Sequence, residues 1–194
     1  VQLTESWMRG EIDIPEIAHK WTDGPAIPIE LVLPERVARG EQVQIQVRMT
    51  NNKAGHDFPT GPLDIIQAWV ELIVTDDAGN VVYESGSLDD ERFIGPGSFI
   101  FKAEAIDQYG NLIDRHNLWE MVGVRFKRSL FPGFADQATY TFSCAGTFAN
   151  DASPLAPEET HELSVSPQQA GELHVSARLQ YRKIDQTLLN FLFG

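Results

Sequence analysis

From residue 27 onward, apolar residues recur at every second position. Ile27, Ile29, Leu31 and Leu33 form one series, and Val43, Ile45, Val47 and Met49 alternate with Gln44, Gln46 and Arg48. A period of two sends successive side chains to opposite faces of an extended chain, so both series predict strands with one buried face. Pro34 and the turn Arg39-Gly40-Glu41 separate them. The run Ile65 to Thr75 sets Ala68, Val70, Leu72 and Val74 on one face and Trp69 and Ile73 on the other. That predicts a strand covered on both sides. Asp76-Asp77-Ala78-Gly79-Asn80 reads as a hairpin turn into Val81-Val82-Tyr83, and Ser85 to Glu91 as an acidic loop. Strand signals return at Phe99 to Ala105, Met121 to Lys127, Ala138 to Phe142, His161 to Val165 and Leu173 to Tyr181. The last alternates most cleanly. About eight to ten short strands with frequent turns and no strong central helix predict an all-β protein, an antiparallel β-sandwich of immunoglobulin-like type.

The two ends break the alternation. Residues 1–26 carry Trp7, Met8, Ile12, Ile14, Ile17 and Trp21 without strand periodicity, and are expected to form an irregular extension to a domain spanning 27–194. Thr187 to Phe193 is too apolar to lie free in water. Both ends are expected to dock, either back onto their own sandwich or onto a neighbour. Ala149 to Glu159, rich in Ala, Pro, Ser and Glu, is expected to be a mobile loop.

Composition narrows the function. A chain of 194 residues, 42% hydrophobic and 22% charged, is in the globular range. At that length about 70% of the unfolded surface can be buried, enough for a core without covalent staples. The formal charge of -13 repels phosphate backbones and anionic lipid, which argues against nucleic acid as a partner. Cys144 is the single cysteine, so the chain holds no internal disulfide, no Cys-x-x-Cys metal site and no covalent haem attachment through Cys-x-x-Cys-His. No run of eighteen apolar residues predicts a transmembrane helix. The chain starts at Val1 rather than Met, as expected of a processed chain or a piece of a longer one.

Chemistry concentrates in few places. Asn51 to Asp64, N-N-K-A-G-H-D-F-P-T-G-P-L-D, sets His56 among residues that restrict the backbone: Gly55 and Gly61 permit unusual dihedrals, and Pro59 and Pro62 fix φ. A held imidazole is a candidate metal ligand, with Asp57 or a carbonyl on its other nitrogen; the alternative is that His56 bonds its own loop and locks the turn. His116, in Asp114-Arg115-His116-Asn117-Leu118-Trp119, meets His56 if both loops lie at one end of the sandwich. His19, His161 and His174 read as surface residues. Asp107-x-x-Gly110-Asn111-x-x-Asp114 lacks the spacing and terminal glutamate of a calcium loop and reads as a β-turn. Cys144 lies among apolar neighbours as a buried, inert thiol. There is no Gly-x-Ser-x-Gly elbow, no phosphate-binding glycine loop and no His-Glu-x-x-His, so the chain is not expected to be an enzyme.

The element Gly55-His56-Asp57-Phe58-Pro59-Thr60-Gly61 is followed in order by Trp69-Val70-Glu71, Asp76-x-x-Gly79-x-Val81 and Ser85-Gly86-x-Leu88-Asp89. Asp107-x-x-Gly110-x-x-Ile113-x-x-His116-x-Leu118-Trp119 and Ala177-Arg178-Leu179-x-Tyr181-Arg182-Lys183 complete the series. This pattern resembles the C-terminal β-sandwich domain of bacterial and archaeal multihaem c-type cytochromes, over most of residues 27 to 194. The resemblance implies a periplasmic or extracellular, non-catalytic accessory or scaffold role in electron transfer. Haem c would be carried by a partner chain or a missing region, since this chain departs from the family by having no Cys-x-x-Cys-His. His56 and His116 are carried over as candidate contacts or axial ligands to a partner haem, with His56 as the first candidate iron ligand. The implied partner is a multihaem c-type cytochrome chain, with a homo-oligomer or filament also open. The competing expectation is a periplasmic or cell-surface binding module, in which loops around His56, Asp89 and Trp119 take a carbohydrate, a peptide or a metal ion. A small copper protein using His56 and His116 is a third, for which Met121 and Cys144 are the soft ligands at hand.

Overall fold

In the computed structural model the described residues are 2–12, 14–20, 23–38, 40–62, 64–144, 147–148, 163–164 and 171–194. The alternating series form strands, except that the first is cut to Ile29–Val32 and leaves Leu31 and Leu33 exposed where a buried face is expected. Strands β1 (Ile29–Val32), β2 (Gln42–Thr50) and β7 (Ala135–Ser143) make one antiparallel sheet in the order β1-β2-β7. A second sheet runs β10-β3-β5-β6, from β3 (Gln67–Thr75), β5 (Ile100–Ile106), β6 (Gly123–Arg128) and β10 (His174–Arg182), with β4 (Val81–Ser85) also paired to β3. A ribbon of β8 (Thr147–Phe148) and β9 (Leu163–Ser164) is separate. The expected run from His161 to Val165 is thus described only at Leu163–Ser164. His161 and the loop from Ala149 to Glu159 lie outside the described residues.

The sheets close on one another through their apolar faces. Val43, Ile45, Val47 and Met49 of β2, with Ala138, Tyr140 and Phe142 of β7, face Ala68, Val70, Leu72 and Val74 of β3 and Phe101 of β5, all in one buried cluster. Full burial of each large aliphatic or aromatic side chain contributes about 1.5–3 kcal/mol. Single methylene losses along these series are therefore felt throughout the sandwich. Trp69, on the opposite face of β3, is also buried: its indole Nε1 donates to the Gly86 carbonyl at 2.9 Å, and the Arg182 guanidinium lies 5.2 Å from its ring centroid. Gly86 must be glycine, because a Cβ there would sit 2.1 Å from the Val70 carbonyl oxygen, on a backbone with φ of +78°.

The ends adopt helices. The extension contains α1 (Gln2–Arg9), tied down where the Ala26 amide donates to the Met8 carbonyl, with Trp7 and Met8 packed against the core. It is helical where the lack of alternation predicts irregular chain. Between α1, β1 and β10 lies a cavity of about 740 Å³, lined by Met8, Ile27, Ile29, Leu179 and Tyr181 among others. At the other terminus the apolar run forms α2 (Gln186–Phe193), capped where Asp185 accepts from the Leu188 amide at 2.8 Å. Only one face of α2 is covered. Leu188 is buried against Ile65 and Ile66, whereas Phe191, Leu192 and Phe193 are exposed. No helix among the described residues is long and apolar enough to cross a membrane.

Candidate functional site

Two inter-strand connections carry the histidines. The β2–β3 connection, residues 51–66, begins with the loop of His56 and ends at Asp64. Asn51, 1% exposed, organises its start: Nδ2 donates to the carbonyls of His56 and Leu130, both at 3.0 Å, and Oδ1 accepts from the Ala54 amide at 3.0 Å. Phe58 then exchanges two backbone hydrogen bonds with Leu130 and drives its ring into the core, against Phe101 and Tyr181. The Phe58–Pro59 peptide is cis, and Gly61 takes a φ of +106°. Asp57 accepts from the Ser129 hydroxyl at 3.0 Å. His56 stands exposed above this anchored loop, its Nδ1 3.1 Å from the Asp57 carbonyl oxygen. A carbonyl only accepts, so Nδ1 carries the hydrogen and Nε2 is bare.

His116 lies in the β5–β6 connection, residues 107–122. Its Nδ1 is 2.7 Å from Oδ2 of Asp64, at the far end of the β2–β3 connection. The Asp64 side chain is 2% exposed and that of His116 42% exposed. In the neutral imidazole with Nδ1 donating to the carboxylate, Nε2 is left bare. The His116 backbone is left-handed, with φ of +59°, a conformation that costs a non-glycine residue on the order of 1–3 kcal/mol and persists only where surroundings impose it. The other Asp64 oxygen, Oδ1, is buried with no hydrogen-bond partner.

The connection that carries His116 exposes a mixed surface, with Asp114, Arg115 and Glu120 beside several large apolar side chains. Tyr109, Leu112, Trp119, Met121 and Val122 of the same connection are exposed, Trp119 by 83%. Arg115 joins them to the open end of α2, its guanidinium 4.8 Å from the centroid of the Phe191 ring. The turn that opens the connection is a plain β-turn: Asp107 accepts from the amides of Tyr109 and Asn111 and from the Asn111 side chain, so its oxygens serve the backbone rather than a cation. The Asn111 side chain bond and these amides hold the Asp107 carboxyl below its ordinary value. At the start of α2, burial pushes the Asp185 carboxyl up, against the lowering effect of the Leu188 amide and Arg182.

The structure does not join the two histidines in one contact. Among the described residues His56 bonds its own loop, His116 bonds Asp64, and the two share no hydrogen-bond partner. His19 is exposed in the extension, and Cys144 is a buried free thiol. One cluster escaped sequence reasoning. Asp77 in the β3–β4 turn meets Glu172 and His174 at the start of β10, with donor atoms within 4.8 Å of one another and all three residues exposed. It exists because His174 pairs with Thr75 in the β10–β3 register. No local signal marks it, and exposed carboxylates gather commonly without an ion. The role of Asp64 was equally hidden, since it lies fifty-two positions from its histidine.

No protein-family model matches the chain, and no curated protein matches it. Among solved structures it is similar to a penta-heme cytochrome c552 from Thermochromatium tepidum. The sequence identity is 16%, the TM-score 0.55, and the match covers 86% of this chain and 34% of that one. The likeness is one of fold.

A haem would find one kind of fit here. With a single cysteine, this chain has no Cys-x-x-Cys-His with which to hold the group covalently. His116 instead offers a half-exposed imidazole and a carboxylate to orient its ring.

Proposed function

We propose that this chain is a non-catalytic, exported docking module of a multihaem c-type electron-transfer assembly. It presents His116 and the exposed apolar side chains of its connection to a haem-bearing partner, with His56 as a second contact. The observation that carries the reading is the His116–Asp64 pair: an imidazole on left-handed backbone, bonded through Nδ1 to a buried carboxylate, in a connection that also exposes Tyr109 and Trp119. The fold likeness to a penta-heme cytochrome supports it, as does the order of motifs that resembles the cytochrome sandwich domain. When bound, the partner's haem supplies the electron chemistry. This chain's part is to orient one imidazole, cover apolar haem edge with Trp119 and the end of α2, and exclude water there. Its charge of -13 suits a lysine-bearing partner, so added salt is expected to weaken the complex.

The test is the visible spectrum, oxidised and then reduced, of the chain purified gently from its native source, with mass spectrometry of what copurifies. Sharp c-type bands together with a Cys-x-x-Cys-His polypeptide are expected. A colourless, partner-free protein overturns the proposal. That second outcome would favour a binding module, to which a different feature points: a polar cavity of about 310 Å³ lined by Gln67, Lys102, Arg182, Asp185, Gln186 and Thr187 among others.

A further inference from the structure

We infer that Asp64 is a positioning residue for His116, fixing the imidazole as its Nδ1–H tautomer so that Nε2 alone is free to bind a transition-metal centre with an open coordination position. The part that concerns haem iron rests on the docking reading above; the part that concerns the tautomer does not.

The argument starts from how poorly Asp64 serves the fold. A buried carboxylate is tolerable when both oxygens are paired and hydrogen-bonded, because desolvation otherwise exceeds what attraction returns. Here Oδ2 has His116 and Oδ1 has no partner. Its charge also adds to the upward push on the buried Asp185 carboxyl. An apolar side chain of similar volume would fill the place at no such cost. What an apolar side chain cannot do is accept the Nδ1 hydrogen. Without that acceptor an imidazole is free to move its hydrogen to Nε2, which fills the lone pair a metal would use, and the ring is free to rotate. With it, the lone pair is fixed in direction, and the carboxylate makes the imidazole a stronger donor. Left-handed backbone at His116 fits the same account, since it brings the ring to Asp64 at a conformational cost that a surface histidine has no other reason to bear.

The experiment compares the wild-type chain with Asp64→Leu, Asp64→Asn and His116→Ala. Nitrogen-15 NMR of the free chain, at a pH where the imidazole is neutral, reads the His116 tautomer without any haem. Wild type is expected to show Nδ1–H with bare Nε2. Asp64→Leu should show predominantly Nε2–H, and Asp64→Asn, which keeps an acceptor oxygen, should retain much of the wild-type form. Urea denaturation should find Asp64→Leu no less stable than wild type. Binding is then read with a soluble probe, a ferric haem undecapeptide with one open axial position, by the Soret shift to the low-spin form. It is read in a His56→Ala background, because His56 also presents an exposed imidazole: that parent should bind, adding His116→Ala should abolish binding, and adding Asp64→Leu should weaken it about 10–100-fold, the usual penalty for losing such a partner. A wild-type Nε2–H tautomer, or a tautomer indifferent to Asp64→Leu, overturns the inference. Should the tautomers behave as expected while no variant binds the haem peptide, positioning stands and the haem assignment of His116 falls. If Asp64→Leu does not fold, Asp64→Ala, which also removes the acceptor, takes its place: a shift to Nε2–H supports the inference and an unchanged tautomer overturns it.

Discussion

The two histidine loops reach similar chemistry by opposite routes. His56 stands on a loop that is part of the fold: Asn51 and Phe58 bind it to Leu130 and the core, yet its ring bonds the backbone of its own loop. His116 stands on a connection with large exposed apolar side chains, yet its ring holds the sole hydrogen bond to a buried carboxylate found among the described residues. In the first, the backbone is coupled to stability and the imidazole is not. In the second, the imidazole is coupled and the surface around it is not. A side chain tied to a distant buried charge is the better candidate for a built site, because local turn formation does not require it.

The comparison can be broken at several points. Phe58→Ala, which removes a ring packed on Phe101 and Tyr181, should destabilise the chain by about 3–5 kcal/mol in urea denaturation. Asn51→Ala strips a donor from two carbonyls and an acceptor from one amide and should cost about 3 kcal/mol, with hydrogen exchange rising first at Ala54. A cost near zero for either would mean that the His56 loop is not built into the fold. His116→Ala leaves Asp64 buried without a partner and should cost about 2 kcal/mol. In the double variant Asp64→Leu/His116→Ala most of that loss should vanish, and simple additivity would show the pair to be uncoupled.

Smaller effects sharpen it. Glu104 on β5 accepts from Arg125 of β6 at the base of the hairpin that carries His116. Partial burial raises its carboxyl, but Lys102 and Arg125 together more than offset this and leave it below its ordinary 4.5. A lowered folded value means stability that is present above that ordinary range and is lost as pH falls through the folded value. Glu104→Gln should therefore lower stability at neutral pH by at most about 0.5 kcal/mol, because water screens the pair, and the difference from wild type should disappear in acid. A difference that persists below the carboxylate range would assign the effect to packing instead. His56→Ala and Trp119→Ser should each change stability by less than about 0.5 kcal/mol in thermal melts, the ordinary range for exposed positions. A large loss at His56 would erase the contrast between the loops.

How much of this was legible in advance follows from the range of the interactions. Strand alternation in β2, β3 and β10 was readable because a half-buried sheet imposes a period of two on its own residues. The His56 loop was readable because glycine, proline and asparagine act on the chain next to them. Helix α1 was missed as a helix, since eight residues with Trp7 and Met8 on the covered side give too short a pattern to be told from irregular chain. The apolar C-terminal run was readable as a docking segment, but its division into a covered Leu188 and an exposed Phe191 to Phe193 was not. The sequence by itself determined the sheet-forming segments, the absence of covalent haem attachment, and both candidate histidines. Only the tertiary structure decided which carboxylate meets which imidazole. Asp64 reaches His116, and Asp77 reaches His174, across connections whose closure depends on sheet register and core packing. No local pattern encodes such a meeting, because its energy appears only once the two strands' ends are held side by side.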